Sequence, residues 1–303
     1  MVPVRPQSLP LTEVHRGVWL LDVDQFGVPG QGGVYILSGE PAALVEAGTS
    51  LARERVLAAL GDLRITRDEV AWIFLTHIHL DHAGGAGGLL QELPAAKVVV
   101  HARGARHLMD PSRLVASVRD AVRERFPLYG TMEPIPADHL HVACDGEAFP
   151  VGGFKIRALD APGHAPHHLC WFAEGERLLF TGDAVGLYLG GVLLPSTVPP
   201  SFDLDLSLST LDRLMGLHPE TLLFTHFGPG SPTLLSRYAE LLRAWVERVD
   251  RLRRTCRSED ELVTAVLGAA AREGLVPPGL ACGDLAMSVR GAAAYLARRE
   301  GAT

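Results

Sequence analysis

The chain has 303 residues, of which 47% are hydrophobic and 21% charged, which is the composition of an ordinary globular protein. This length allows one large domain with an appendage, or two domains. The net charge of −7 gives no reason to expect a nucleic acid or an anionic membrane as a partner. No apolar run approaches the roughly 20 residues that a membrane-spanning helix needs.

The four cysteines lie far apart in the sequence, and no two of them form a C-x-x-C pair. This pattern is typical of reduced thiols rather than of a disulfide framework or a thiolate zinc site. The segment before residue 11 contains three prolines and lacks the apolar core of a signal peptide. We therefore expect a cytoplasmic protein.

Short strands dominate the first 75 residues. Strands are predicted at residues 14–22, 33–38, 42–46 and 70–75. The Gly/Pro-rich segment 27–33 is predicted to be a loop. Ser50 is expected to cap a helix that ends near Leu60, and Thr66 and Glu69 form a capping box for a single helical turn.

Three histidines and one aspartate follow this last strand within six residues, and two glycines come next. His77 and His79 are two residues apart in an extended stretch, so their side chains point to the same side and can share one metal ion. Asp81 and His82 follow where the chain is expected to turn into a helix, which aims them at a second ion. Imidazole and carboxylate ligands together suit zinc, iron, nickel or manganese. A solvated polar loop is the alternative interpretation.

The middle of the chain continues with short elements. Strands are predicted at 97–101, 139–143, 153–159, 169–174, 178–183 and 222–226, and helices at 89–93, 103–109, 112–125 and 206–217. Residues 184–204 contain three prolines and are predicted to form one long irregular loop. Loops of this length in a compact domain are usually functional or mobile.

Beyond residue 230 the hydrophobic period is helical. Helices are predicted at 232–257, 258–274 and 284–299, with a break at 277–279. Acidic residues alternate with the arginines of the first of these helices, which favours a solvated, ion-paired face over a basic binding surface. We expect these helices to pack against the rest of the chain and to shape either the substrate pocket or a homodimer interface.

Three more metal-capable side chains stand at or just past the ends of apolar strands, namely His164, Asp183 and His226. Each alone is a common turn residue, but in this order after H-x-H-x-D-H they form a specific pattern. The sequence thereby resembles the metallo-β-lactamase-fold hydrolases, a superfamily that includes glyoxalase II, lactonases and RNase Z. The resemblance covers roughly residues 12–230. It implies an α+β fold, a four-layer αββα sandwich, with a catalytic domain at 1–230 and a helical C-terminal extension at 231–303.

The resemblance also implies a site for two divalent metal ions, with zinc as the first choice and iron or manganese as alternatives. One ion would be held by three imidazoles, those of His77, His79 and His164. The other would be held by Asp81, His82 and His226. Asp183 would bridge them, because two cations about 3.5–4 Å apart need an anion between them. Asp81 is also the side chain assigned to catalysis.

Several residues narrow the choice within the superfamily. The bridging carboxylate of Asp183 is absent from true β-lactamases, so the pattern disfavours antibiotic hydrolysis, and the basic cluster of glyoxalase II is not recognisable. Glu46 stands where the family usually has an aspartate, which leaves its role beside the metal ligands open. Four other histidines are expected to be hydrogen-bonding structural residues rather than ligands: His101, His107, His167 and His168.

We therefore predict a metal-dependent hydrolase that uses a bridging hydroxide on a small-molecule ester, thioester or lactone. The apolar stretch 184–204 has no arginine, which disfavours a highly anionic substrate. Three alternatives stay open: a mononuclear iron oxygenase of the persulfide dioxygenase type on the same fold, a phosphodiesterase, and a metal-stabilised protein without activity.

Overall fold

The computed structural model describes residues 11–273 and 282–301, with side chains from Leu285 onward in the second range. These residues form two compact units. The first holds the described residues up to Leu159 together with Trp171–Glu176, and the second holds Asp160–Cys170 and the described residues from Arg177 onward. The predicted domain boundary at residue 230 stays a prediction. The predicted helix break at 277–279 lies outside the described residues.

The first unit contains a seven-stranded mixed sheet whose strands follow one another in chain order. They are β1 (Leu11–His15), β2 (Val18–Asp22), β3 (Gly33–Leu37), β4 (Ala42–Val45), β5 (Val70–Phe74), β6 (Lys97–His101) and β7 (Leu140–Ala143). Strands β1 to β4 pair antiparallel, whereas β4 to β7 pair parallel. Short connections join the antiparallel strands, and parallel neighbours need a longer crossover.

Helices supply these crossovers. They are α1 (Arg53–Asp62), α2 (Leu80–Ala83), α3 (Ala86–Leu90), α4 (Ala102–Met109) and α5 (Ser112–Val122). Because β4, β5 and β6 are parallel, their carboxyl ends meet at one edge of the sheet. The backbone N–H of Glu46, just past β4, donates to the carbonyl of Phe74 at the end of β5, at 2.9 Å. This edge is where the histidine cluster begins.

Two predictions near the N-terminus are wrong and one is confirmed. Residues 14–22 do not form a single strand, because Gly17 adopts a positive φ of 77° and turns β1 back onto β2. Ser50 does not cap α1; it begins a 3-10 turn, and its hydroxyl accepts from the N–H of Thr131 at 2.9 Å. The capping box of Thr66 and Glu69 is present as predicted.

An aromatic cluster closes one face of the sheet in the first unit. The hairpin of β8 (Ala148–Val151) and β9 (Phe154–Asp160) carries Phe149, and β10 (Leu169–Ala173) carries Trp171. The ring of Phe74 lies 5.3 Å from that of Phe149 and 4.7 Å from that of Trp171. The indole Nε1–H of Trp171 donates to the carbonyl of Leu75 at 3.2 Å. These contacts fix the end of β5 from which the histidine cluster follows.

The second unit combines short strands with long helices. Its strands are β11 (Leu178–Phe180), β12 (Leu187–Leu189), β13 (Val192–Leu194), β14 (Thr221–Phe224) and β15 (Gly228–Gly230), and its helices are α6 (Leu204–Gly216), α7 (Leu234–Arg253), α8 (Glu259–Arg272) and α9 (Cys282–Gly301). Strand β14 pairs parallel with β11 and antiparallel with β15. The prediction of one irregular loop at 184–204 is wrong, because Gly190 and Gly191 turn β12 back onto β13 as a hairpin.

Helix α7 is the centre of the C-terminal helices and packs against α6, α8 and α9. As predicted, its arginines form ion pairs: Arg253 and Arg254 both lie 2.7 Å from the carboxylate of Asp250. None of the helices within residues 11–273 and 282–301 combines the length and apolar character needed to cross a bilayer.

Candidate metal centre

The predicted change from extended chain to helix within the histidine cluster is confirmed. Helix α2 begins directly after His79, whose backbone is extended with φ −61° and ψ 149°. Nε2 of His77 lies 2.8 Å from Nδ1 of His79, so these two ring atoms face each other. On the first turn of α2, Nε2 of His82 lies 3.8 Å from Oδ2 of Asp81. The four side chains therefore gather just past the carboxyl end of β5.

A buried carboxylate, that of Glu46, supports this cluster from behind. Its Oε1 lies 2.8 Å from Nδ1 of His82 and accepts from the hydroxyl of Thr76 at 2.6 Å. Its Oε2 accepts from the backbone N–H of Thr76 at 3.3 Å. Glu46 reaches this position with a positive φ of 73°, a conformation that costs a non-glycine residue about 1 kcal/mol or more. Strain of this kind persists where the surroundings hold it in place.

Glu46 thereby determines which ring nitrogens the two buried histidines present. A carboxylate only accepts, so Nδ1 of His82 carries the proton and donates it. The single hydroxyl proton of Thr76 goes to Glu46, so the hydroxyl accepts from Nδ1 of His77, which lies at 3.0 Å. In the neutral form of both rings Nε2 is then the atom that can bind a metal. This answers what Glu46 does in place of the usual aspartate.

The loop between β2 and β3 reaches Asp81. The amide of Gln25 donates to Oδ2 of Asp81 at 3.4 Å. Asp22 organises the loop, since its two oxygens accept from the N–H groups of Asp24 and Gly30 at 2.9 and 2.7 Å. Gln25 was not identified from the sequence, where its only signal was a position beside a Gly/Pro-rich loop.

The three later ligand candidates lie together in the second unit. Oδ2 of Asp183 is 3.7 Å from Nε2 of His164, and Oδ1 of Asp183 is 3.6 Å from Nε2 of His226. These separations are too long for good hydrogen bonds. They are close to the roughly 3.4 Å that separates two ligands bound at about 2.1 Å to one tetrahedral zinc ion. The carboxylate of Asp183 thus offers one oxygen to each of two imidazoles.

Two further residues hold these ligands. The carbonyl of Ser196 accepts from Nδ1 of His164 at 2.9 Å, which leaves Nε2 as the metal-binding atom of that ring. The hydroxyl of Ser196 donates to Oδ2 of Asp183 at 2.8 Å. Nε2 of the buried His168 accepts from the backbone N–H of Asp183 at 3.1 Å. No motif in the sequence singled out Ser196, which lies in a proline-rich stretch.

The donor set fits a divalent transition metal ion. The seven predicted ligands comprise three imidazoles and one carboxylate in the first unit, and two imidazoles and one carboxylate in the second. Three of the imidazoles, those of His77, His82 and His164, donate a hydrogen bond from Nδ1, which leaves Nε2 available to bind a metal. Neutral imidazole and carboxylate suit zinc, iron and manganese.

His101, His107 and His168 were expected to be structural, and they form hydrogen bonds of that kind. His101 caps α4 by accepting from the N–H of Arg103 at 3.0 Å, and Nε2 of His107 accepts from Nε of Arg106 at 3.2 Å. His168 binds the backbone of Asp183, as described above.

Three aromatic residues, Tyr129, Tyr188 and Phe202, differ in exposure. Phe202 is fully buried and packs on Tyr295, with ring centres 5.6 Å apart, so it belongs to the core. Tyr129 and Tyr188 are half-buried.

Replacing Glu46 tests its control of the histidine tautomers. In Glu46→Gln one carboxylate oxygen becomes an amide N–H₂, which cannot accept. In one orientation of the amide the bonds from the Thr76 hydroxyl and from Nδ1 of His82 are lost, and in the other the bond from the Thr76 N–H is lost. We expect metal affinity to fall about 10- to 100-fold, measured by competition with a chelator. The matched control is Glu54→Gln, because Glu54 is an exposed glutamate on α1. Unchanged affinity in Glu46→Gln would show that this carboxylate does not prepare the ligands.

Comparison with known proteins agrees with this geometry. A model of the Metallo-beta-lactamase superfamily matches residues 27–226. A metallo-beta-lactamase fold-containing protein of Sulfurisphaera tokodaii is 30% identical over 228 residues, which cover 74% of this chain and 83% of that protein. The crystal structure of a metallo-beta-lactamase family protein from Thermus thermophilus is similar, with a TM-score of 0.71 and 26% identity over 95% of each chain.

Other relatives are named as enzymes. An atrochrysone carboxyl ACP thioesterase of Aspergillus fumigatus is 31% identical over 153 residues, which cover 50% of this chain and 39% of that protein. The chain thus matches well under half of the length of that relative.

These findings confirm the predicted fold class, an α+β metallo-β-lactamase fold with a C-terminal helical region. They also confirm that the protein is a metallo-hydrolase, and the fold implies that it binds divalent metal. The chain belongs to the metallo-β-lactamase superfamily.

Proposed function

We propose that this protein is a dinuclear metal-dependent hydrolase that acts on a small-molecule thioester, ester or lactone. The observation that carries the proposal is the position of Asp183. Its two oxygens lie 3.7 and 3.6 Å from Nε2 of His164 and of His226, respectively. A carboxylate that offers a different oxygen to each of two imidazoles can bridge two ions, one on each oxygen.

The ligands divide as the superfamily resemblance implies. One ion is assigned to three imidazoles, those of His77, His79 and His164. The other is assigned to Asp81, His82 and His226. Asp183 would bridge the two ions, and its charge together with that of Asp81 would offset half of their four positive charges. We propose zinc as the metal. We also propose that the protein is cytoplasmic.

The chain's own residues prepare these ligands and move protons. When bound, two divalent ions supply a hydroxide nucleophile at neutral pH and stabilise the negative charge that develops on the attacked carbonyl. Glu46 (directly for His82 and through Thr76 for His77) and Ser196 (for His164) engage Nδ1 of three imidazoles in hydrogen bonds, which leaves Nε2 of each ring as the atom that would bind metal. The side chain of Asp81 is 21% exposed, whereas those of Asp183 and His82 are buried. We assign Asp81 the transfer of a proton between the site and the solvent, with Gln25 holding its Oδ2.

Two observations support a carbonyl substrate with an apolar part. The named relatives include thioesterases, which supports thioesters as the first choice within the proposed class. The hairpin of β12 and β13 presents half-buried Leu187 and Val192 and carries no arginine. We also propose that the protein belongs to the branch of the superfamily that contains glyoxalase II and the lactonases. A homodimer stays an expectation.

The bridging role of Asp183 is tested by Asp183→Asn. The neutral amide keeps the shape but removes the charge between the two ions. We expect bound metal to fall from two ions to one or none per chain, and kcat/KM to fall by more than about 100-fold. The same change at exposed Asp212 on α6 is the control and is expected to alter neither quantity. Two tightly bound ions in Asp183→Asn would refute the assignment.

The reaction class is tested by measuring hydrolysis of a thioester, an aryl ester, a lactone and a phosphodiester. We expect turnover of carbonyl substrates, its loss after removal of metal by a chelator, and its return with zinc. One iron ion per chain together with oxygen consumption would favour the persulfide dioxygenase type instead. Turnover of the phosphodiester alone would move the protein to the phosphodiesterases.

A further inference from the structure

A short loop in the second unit, residues 195–197, is held by the C-terminal helices, and we call it the clamped loop. The hydroxyl of Ser288 on α9 donates to the carbonyl of Pro195 at 2.8 Å. The hydroxyl of Thr197 donates to the carbonyl of Ser288 at 2.5 Å and accepts from the indole Nε1–H of Trp245 on α7 at 3.2 Å. All of these groups are buried, so water does not compete for the bonds.

Two more contacts tighten this arrangement. Gly291 of α9 lies so close to the clamped loop that a Cβ there would overlap the carbonyl oxygen of Thr197. The hydroxyl of Tyr238 on α7 accepts from the backbone N–H of Ser196 at 3.1 Å. Burial raises the pKa of Tyr238, the hydrogen bond from Ser196 lowers it by less, and the carboxylate of Asp183 adds a smaller rise. The net direction is upward, so the hydroxyl stays protonated.

The clamped loop also contacts two of the proposed metal ligands. Ser196 accepts from Nδ1 of His164 through its carbonyl and donates to Oδ2 of Asp183 through its hydroxyl. One residue therefore sets the ring orientation of His164 and the rotation of the Asp183 carboxylate at the same time. Loop residues outside regular structure hold such positions only when other contacts remove their freedom. Here α7 and α9 supply those contacts.

We propose that Ser196 is a positioning residue for His164 and Asp183, and that α7 and α9 act on both ligands through the clamped loop. This rests on the proposed function, because it takes His164 and Asp183 as metal ligands. The C-terminal helices thus belong to the apparatus that binds metal. Groups that orient metal ligands set affinity by fixing the ligands before the ion arrives.

The first test compares Ser196→Ala with Ser196→Thr. The alanine variant loses the bond to Asp183, whereas threonine keeps a hydroxyl there. We expect the dissociation constant for zinc to rise about 10- to 100-fold in Ser196→Ala and to return close to the wild-type value in Ser196→Thr. The visible absorption of the Co²⁺-loaded protein should shift in Ser196→Ala alone. A lower melting temperature of the metal-free protein with unchanged zinc affinity and Co²⁺ spectrum would overturn the proposal.

The second test acts from the helix and leaves the loop sequence unchanged. Gly291→Ala forces the carbonyl of Thr197 to move, so we expect weaker zinc binding, again by about 10-fold or more. The control is Gly268→Ala on α8, because a Cβ there would lie 3.5 Å from the flexible end of Arg272. Gly268→Ala should bind zinc as the wild type does. Equal zinc affinity in both variants would contradict action of α9 on the ligands.

Zinc affinity and hydrolysis separate this inference from the proposed function. A wild-type protein that binds zinc but hydrolyses none of the substrate panel would refute the proposed reaction, while the comparison of zinc affinities would still decide the role of Ser196. A wild-type protein that binds no divalent metal would refute both.

Discussion

The histidine cluster depends on the hydrogen bonds that the buried carboxylate of Glu46 accepts. Glu46 occupies the end of β4, next to the end of β5, because the two strands are parallel and their carboxyl ends meet. From there it accepts from His82 directly and from His77 through the hydroxyl of Thr76. When one ring nitrogen of an imidazole donates a hydrogen bond, only the other ring nitrogen can bind a metal. These bonds therefore leave each ring with one possible metal-binding atom.

In the second unit, different groups orient the candidate metal ligands. A backbone carbonyl, that of Ser196, plays for His164 the part that a carboxylate plays for His82. The candidate ligand Asp183 is held from two sides, by the hydroxyl of Ser196 and by His168 at its backbone N–H. Since Ser196 lies in a loop, its support comes from α7 and α9. In this proposal the C-terminal helices support two candidate metal ligands through the loop that contains Ser196.

The seven ligand candidates could be recognised from the sequence because their signals are local. His77, His79, Asp81 and His82 are packed into one short stretch, and Asp183 and His226 follow short apolar runs that predict strands. Glu46 was visible as a departure from the family pattern, but its role was not. Its partners, Thr76 and His82, follow the neighbouring strand β5 and lie 30 or more residues away in the chain, and the contacts exist only once β4 and β5 are paired.

The elements that could not be predicted from the sequence have physical reasons too. The hairpin of β12 and β13 consists of three-residue strands, which are too short to show the alternation of a half-buried strand. Gln25 and Ser196 sit in irregular loops, where hydrogen-bond partners are set by tertiary packing rather than by local pattern. His101 was expected to form structural hydrogen bonds, but its specific role as the cap of α4 was not predicted.

The most direct test of the dinuclear centre is a crystal structure of the metal-loaded protein with anomalous scattering measured at the zinc edge. We predict two peaks, with Nε2 of His77, His82 and His164 and Nδ1 of His79 as ligand atoms and Asp183 bonded to both ions. A single peak, or ions bound away from these nitrogens, would contradict the dinuclear centre and the tautomers that Glu46 and Ser196 impose.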